Sequence, residues 1–155
     1  MPLSLAEHFA LILAETADLD AHPLSARQTR LVLTLLDKFA ERVYFALRET
    51  APEKLAPAAD VVAWRDLLRS RCPALGAIFD ACAVPPAAEL MTAAVDVPLA
   101  DYPRLSTADF MVSLYNGLTV QRVLLVSAAG ETRLARAVID DALAWWRESG
   151  LVEAI

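Results

Sequence analysis

The sequence predicts an all-α protein: one compact single-domain bundle of six or seven helices spanning residues 1–155. Three observations predict it. Apolar residues recur at spacings of three and four along several segments, the period of a helix with one buried side. Alternating Val, Ile and Thr runs bounded by hairpin turns are nearly absent. Capping residues stand where the periodic segments begin, and Gly or Pro where most of them end. A chain of 155 residues is also long enough to bury a core without disulfides or metals.

Ser4 is placed to cap a first helix running to about Ala17, with Leu5, Phe9, Ile12, Leu13 and Ala17 on one face. Asp18, Asp20 and Pro23 are expected to end it. Ser25 and Gln28 have the form of a capping box, behind which the longest helix runs through Thr50. Val32, Leu36, Phe39, Val43 and Ala46 form its buried stripe, and at 1.5 Å per residue it would be roughly 39 Å long. Pro52 and Pro57 mark 51–59 as a loop. Asp60 caps a short helix that carries Trp64 toward the core and ends at Pro73. Pro73 lies in the first turn of the next helix, which Pro85 and Pro86 close. A weaker helix is expected over Ala87–Ala94, followed by an irregular stretch, Val95–Leu105, with Pro98 and Pro103.

The segment from Phe110 to Gly130, FMVSLYNGLTVQRVLLVSAAG, carries Arg122 as its one charge. It reads as buried helix, opened by Ser106 and Asp109 and either kinked or divided at Gly117. Burying Tyr115, Asn116, Gln121 and Arg122 without partners would cost about 1–3 kcal/mol each. They are therefore candidate ligand- or partner-binding residues, with Gly117 allowing close backbone approach. A structural alternative has Asn116 and Gly117 capping a helix and Arg122 paired with a carboxylate. Ser113, Gly117, Leu118 and Val123 also fit the steric pattern of a helix-turn-helix. Its second helix, however, would offer Thr119, Gln121 and Arg122 and few cations for phosphates.

Glu131 to about Ser149 reads as a final amphipathic helix stopped by Gly150, with an apolar tail, LVEAI, that docks back or meets a partner. Trp145 and Trp146 point about 100° apart on it, so one faces the core and the other can anchor an interface at its edge. Helices over 25–50, 107–129 and 131–149 are expected to form the centre of the bundle.

Composition directs the functional reading. Hydrophobic residues make up 57% of the chain and mean hydropathy is +0.41. Ordinary usage lies nearer 45–50%, and self-association or a protein partner would cover the surplus. The formal net charge of −6 disfavours nucleic acid and anionic lipid. Cys72 and Cys82 have no zinc spacing and lie too far apart for a disulfide on one helix, which fits a reducing, cytoplasmic setting. The first twenty residues lack the basic region of a signal peptide. Asn116, Gln121 and Arg122 would burden the 110–130 stretch as a membrane span.

Catalytic signals are missing. His8 lacks the basic neighbours of a phosphotransfer histidine, and neither it nor His22 completes a Glu-x-x-His pair. His22 with Asp18 and Asp20 offers metal-binding atoms, but such acidic loop residues are ordinary. No nucleophile elbow, phosphate loop or dinucleotide pattern occurs, and Asp140 and Asp141 diverge around their helix. No catalytic residue, metal or cofactor is assigned. The expected function is a non-enzymatic accessory or adaptor protein acting through protein–protein contacts as a homo-oligomer. Second stands a small-molecule sensor with a pocket lined by 110–130, and third a helix-turn-helix-like regulator.

Overall fold

Ser4 opens the first helix with a reciprocal cap: its hydroxyl accepts the Glu7 N–H at 3.1 Å, and the Glu7 carboxylate accepts the Ser4 N–H at 2.7 Å. In this computed structural model the described residues are 2–97, 105–115 and 117–152, the side chains of Leu114 and Tyr115 excepted. Helix α1 (Leu5–Ala21) runs past Ala17, because Asp18 and Asp20 stay in solvent while Leu19 turns into the core.

Helix α2 (Ala26–Thr50) is capped by Ser25, whose hydroxyl accepts the Gln28 N–H at 3.1 Å. Gln28 does not reach back to complete a box; its amide donates to the Glu15 carboxylate at 2.7 Å and ties α2 to α1. Val32, Leu36, Phe39 and Val43 are fully buried along α2, which is the axis of the core. A 3-10 turn (Pro52–Leu55) follows. Helix α3 (Val61–Arg71) begins at the Asp60 cap, 2.8 Å from the Ala63 N–H, and α4 (Pro73–Cys82) begins at Pro73. Trp64 is fully buried, its indole N–H donating to the Ala40 carbonyl at 3.1 Å.

The second half of the chain corrects the all-α expectation. Six helices and a three-stranded antiparallel sheet make up the described residues, 62% helix and 15% strand. Strand β1 (Ala88–Asp96) replaces the weak helix expected over Ala87–Ala94 and takes in the first residues of the stretch expected to be irregular. Of the rest of that stretch, 98–104 lies outside the described residues. Helix α5 (Thr107–Tyr115) starts where Ser106 accepts the Asp109 N–H at 3.1 Å. It ends at Gly117, φ 65°, where the Leu118 N–H returns to the Ser113 carbonyl at 2.8 Å, the six-to-one bond of a Schellman cap.

Beyond that cap lies strand β2 (Thr119–Ser127), so 107–129 is neither one kinked helix nor two, and no helix-turn-helix exists there. Strand β3 (Thr132–Leu134) pairs with Leu124–Val126 and delays helix α6 (Ala135–Glu148), which was expected from Glu131. The sheet order is β1-β2-β3, and β1 pairs with β2 from Ala88↔Ser127 to Asp96↔Thr119 without a break.

The reason for the error is physical. β2 is the middle strand, with Leu125 facing the helical core and Val120 and Leu124 buried on its other face. A strand covered on both faces reads as a continuous apolar run, not as alternation. β1, AELMTAAVD, consists largely of good helix formers whose local preference yields to its partner strand. The central helices are thus α2, α4 and α6, while 107–129 supplies a peripheral helix and the central strand. Among the described residues no helix is long and apolar enough to cross a membrane.

Candidate interaction surface

Gln121 and Arg122 are neighbours on a strand, and a strand sends successive side chains to opposite faces. Gln121 is exposed in the row with Ala94, while Arg122 lies in the row with Ala93. The Arg122 guanidinium donates to the Asp109 carboxylate at 3.0 Å and to the Gln121 carbonyl at 2.8 Å, fastening α5 to β2. Asn116 and the Tyr115 side chain lie outside the described residues. The two visible members of the expected group therefore do not converge on one point. The expectation that the whole 110–130 segment is buried also fails: Phe110, Met111, Val112 and Leu118 are 38–47% exposed.

Those exposed side chains and β1 supply much of the exposed apolar surface of the sheet half. Met91 of β1 is 48% exposed. Val112 of α5 and Ala94 of β1 line one shallow hollow with Thr119, Val120 and Gln121, about 290 Å³ in volume. The exposed side of α5 thus borders the distal half of β1. No strand among the described residues pairs with the outer side of β1. Leu118 has φ 66°, a left-handed conformation unusual for a branched apolar residue; its side chain is exposed, and its carbonyl accepts the Val97 N–H just beyond β1 at 3.0 Å.

Trp146 is fully buried, edge-on to Phe39 at 5.1 Å between ring centroids. Trp145 is half-buried and packs edge-on to Trp146 at 5.0 Å, so one ring enters the core and the other lies at its margin. Both stand on α6.

A second hollow of about 290 Å³ opens between α4 and the sheet, with Arg69, Asp80, Glu131 and Arg133 at its walls. Two of its charges pair with each other, Arg69 with Asp80 at 2.8 Å, while Arg133 pairs with Asp141 of α6 at 3.2 Å. The His22, Asp18 and Asp20 trio is dispersed, since Asp20 pairs with Arg136 at 2.9 Å and the His22 ring turns to the Asp18 carbonyl. Among the described residues no three His, Cys, Asp or Glu side chains cluster to hold a metal ion. Burial pushes the Cys82 thiol up to about 11, which suppresses its thiolate at neutral pH.

The sequence reading missed the β1 edge and the exposed side of α5. The prolines bracketing 88–96 and the β-branched Val120, Val123 and Val126 were the available signals. Comparison with known proteins finds no counterpart: no family model matches the chain, and neither a curated protein nor a solved structure matches it.

Proposed function

We propose that the protein is a non-enzymatic accessory or adaptor protein that works through protein–protein contacts, with a second copy of itself as its partner. The observation carrying this reading is a sheet edge that no described strand covers, together with exposed apolar side chains on β1 (Met91), on α5 (Phe110, Met111, Val112) and in the turn after it (Leu118), Val112 sharing a hollow with Ala94 of β1. Apolar exposure beside an open strand edge marks contact surfaces. The 57% apolar composition supports it, as does the lack of charged residues in Met91 to Val95 and in Phe110 to Leu118. Sedimentation velocity on the purified chain is expected to show a dimer at micromolar concentration. A monomer across that range would sink the reading.

A second reading, a small-molecule sensor, is favoured by the hollow beside Gln121, although its roughly 290 Å³ is small for a metabolite site. Thermal shift against a metabolite set separates the two. A ligand present at a hundred times its dissociation constant adds about 2.7 kcal/mol of stability. Loss of that shift on Gln121→Ala would place the ligand in this hollow.

A further inference from the structure

Taking the surface above as a self-contact, we infer that β1 pairs antiparallel with β1 of a second copy about a two-fold axis at Thr92, joining two three-stranded sheets into one of six strands.

The first support is that, among the described residues, no strand pairs with this edge and β1 itself carries no guarding feature. Exposed edge strands are ordinarily protected by Lys, Pro, a bulge or brevity. β1 is nine residues long, contains no Lys, Arg, Pro or Gly, and keeps an unbroken register with β2. Its outer backbone groups are therefore arrayed regularly enough to accept another strand.

Charge then permits a second copy in one direction. A second copy of a −6 chain is repelled wherever its acids meet like charges. β1 carries only Glu89 and Asp96, near its two ends. Antiparallel pairing centred on Thr92 sets Glu89 opposite Val95 and Asp96 opposite Ala88, so no acid faces an acid. Parallel in-register pairing would set Glu89 on Glu89 and Asp96 on Asp96, which is unfavourable.

Size selects the register. Centring on Thr92 is the alignment that engages all nine residues of both strands. It matches large with small side chains, Met91 with Ala93 and Leu90 with Ala94, and brings the two Thr92 residues face to face. Such a two-fold contact is isologous and closes on itself, giving a dimer and not a fibre. Val112 of α5, which shares a hollow with Ala94, flanks the join and adds to the covered area.

The test is disulfide trapping in the full-length chain. Directly opposed residues of antiparallel strands have Cα atoms about 4.5–5.5 Å apart, within the range a disulfide spans. Thr92→Cys is expected to cross-link to itself under mild oxidation. Met91→Cys and Ala93→Cys are expected to cross-link poorly alone and readily when mixed. The unmodified chain is the control, since Cys72 is buried and Cys82 is poorly ionised. Thr92→Lys, at an exposed position, sets two cations opposite each other and is expected to weaken the dimer about tenfold or more, an effect that added salt relieves.

A dimer in which Thr92→Cys does not cross-link and Thr92→Lys has no effect overturns this pairing while leaving self-association standing. A monomer overturns both. So does a monomer whose β1 amides exchange slowly with solvent, for then a single chain covers its own edge.

Discussion

His8 sits on α1 with its ring held between two groups of α2: Nδ1 accepts from Arg42 at 2.8 Å and Nε2–H donates to the Leu35 carbonyl at 3.0 Å. Arg42 also donates to the Leu3 carbonyl, so the pair fixes the start of the chain. Burial lowers the His8 pKa, and the Arg42 charge lowers it further, while the Leu35 carbonyl acts the other way. The fold thus prefers neutral His8, whereas the unfolded chain takes up its proton near the ordinary value of about 6.5. The associated stability is intact above that value and is lost as pH falls through the depressed folded-state pKa. Urea midpoints measured from pH 7 to 5 are expected to decline more steeply for the native chain than for His8→Gln. The two deepest indoles give a second residue-level prediction. Trp64 N–H is bonded to Ala40, whereas the buried Trp146 N–H has no partner among the described residues. Trp64→Phe is therefore expected to cost about 1 kcal/mol more than Trp146→Phe, read by circular dichroism in denaturant. Residue types were legible in the sequence, but their pairings were not. That His8 would meet Arg42 depends on how α1 packs on α2, 34 residues away in the chain.

Elements were legible in proportion to how local their causes are. The caps at Ser4, Ser25 and Asp60 and the prolines at 73 and 85 act within one helical turn, and α1 to α4 follow from them. The sheet depends on partners far along the chain, Ala88 with Ser127 and Leu124 with Leu134, which no local window contains. The candidate surface was half visible for the same reason: the unusual segment around 110–122 stood out, but its division into α5 and β2 and the edge formed by β1 did not. Helix α5 packs on β2 and is held there by the Arg122–Asp109 pair, both side chains about a quarter exposed. Partly screened pairs contribute up to about 1 kcal/mol. Asp109→Asn is accordingly expected to speed amide exchange in 107–115 several-fold while leaving α2 and α6 unchanged. Equal acceleration in all three helices would show that α5 does not open separately.

At the scale of the whole molecule, the chain combines a deep helical core with a sheet half that exposes several large apolar side chains. If a second copy covers that surface, the midpoint of thermal unfolding rises with protein concentration, because dissociation accompanies unfolding. A midpoint independent of concentration counts against the dimer. The composition foretold an apolar excess but not its location, since exposure is a property of the assembled fold. The placement of the indoles has a practical corollary. Trp64 stands on α3, and Trp145 and Trp146 on α6, so none belongs to β1, α5 or β2. Tryptophan fluorescence is thereby a reporter of helical melting and is blind to events at the sheet margin. A tryptophan introduced at exposed Met111 would give that margin an optical signal of its own, and dimer formation would register as a blue shift in its emission.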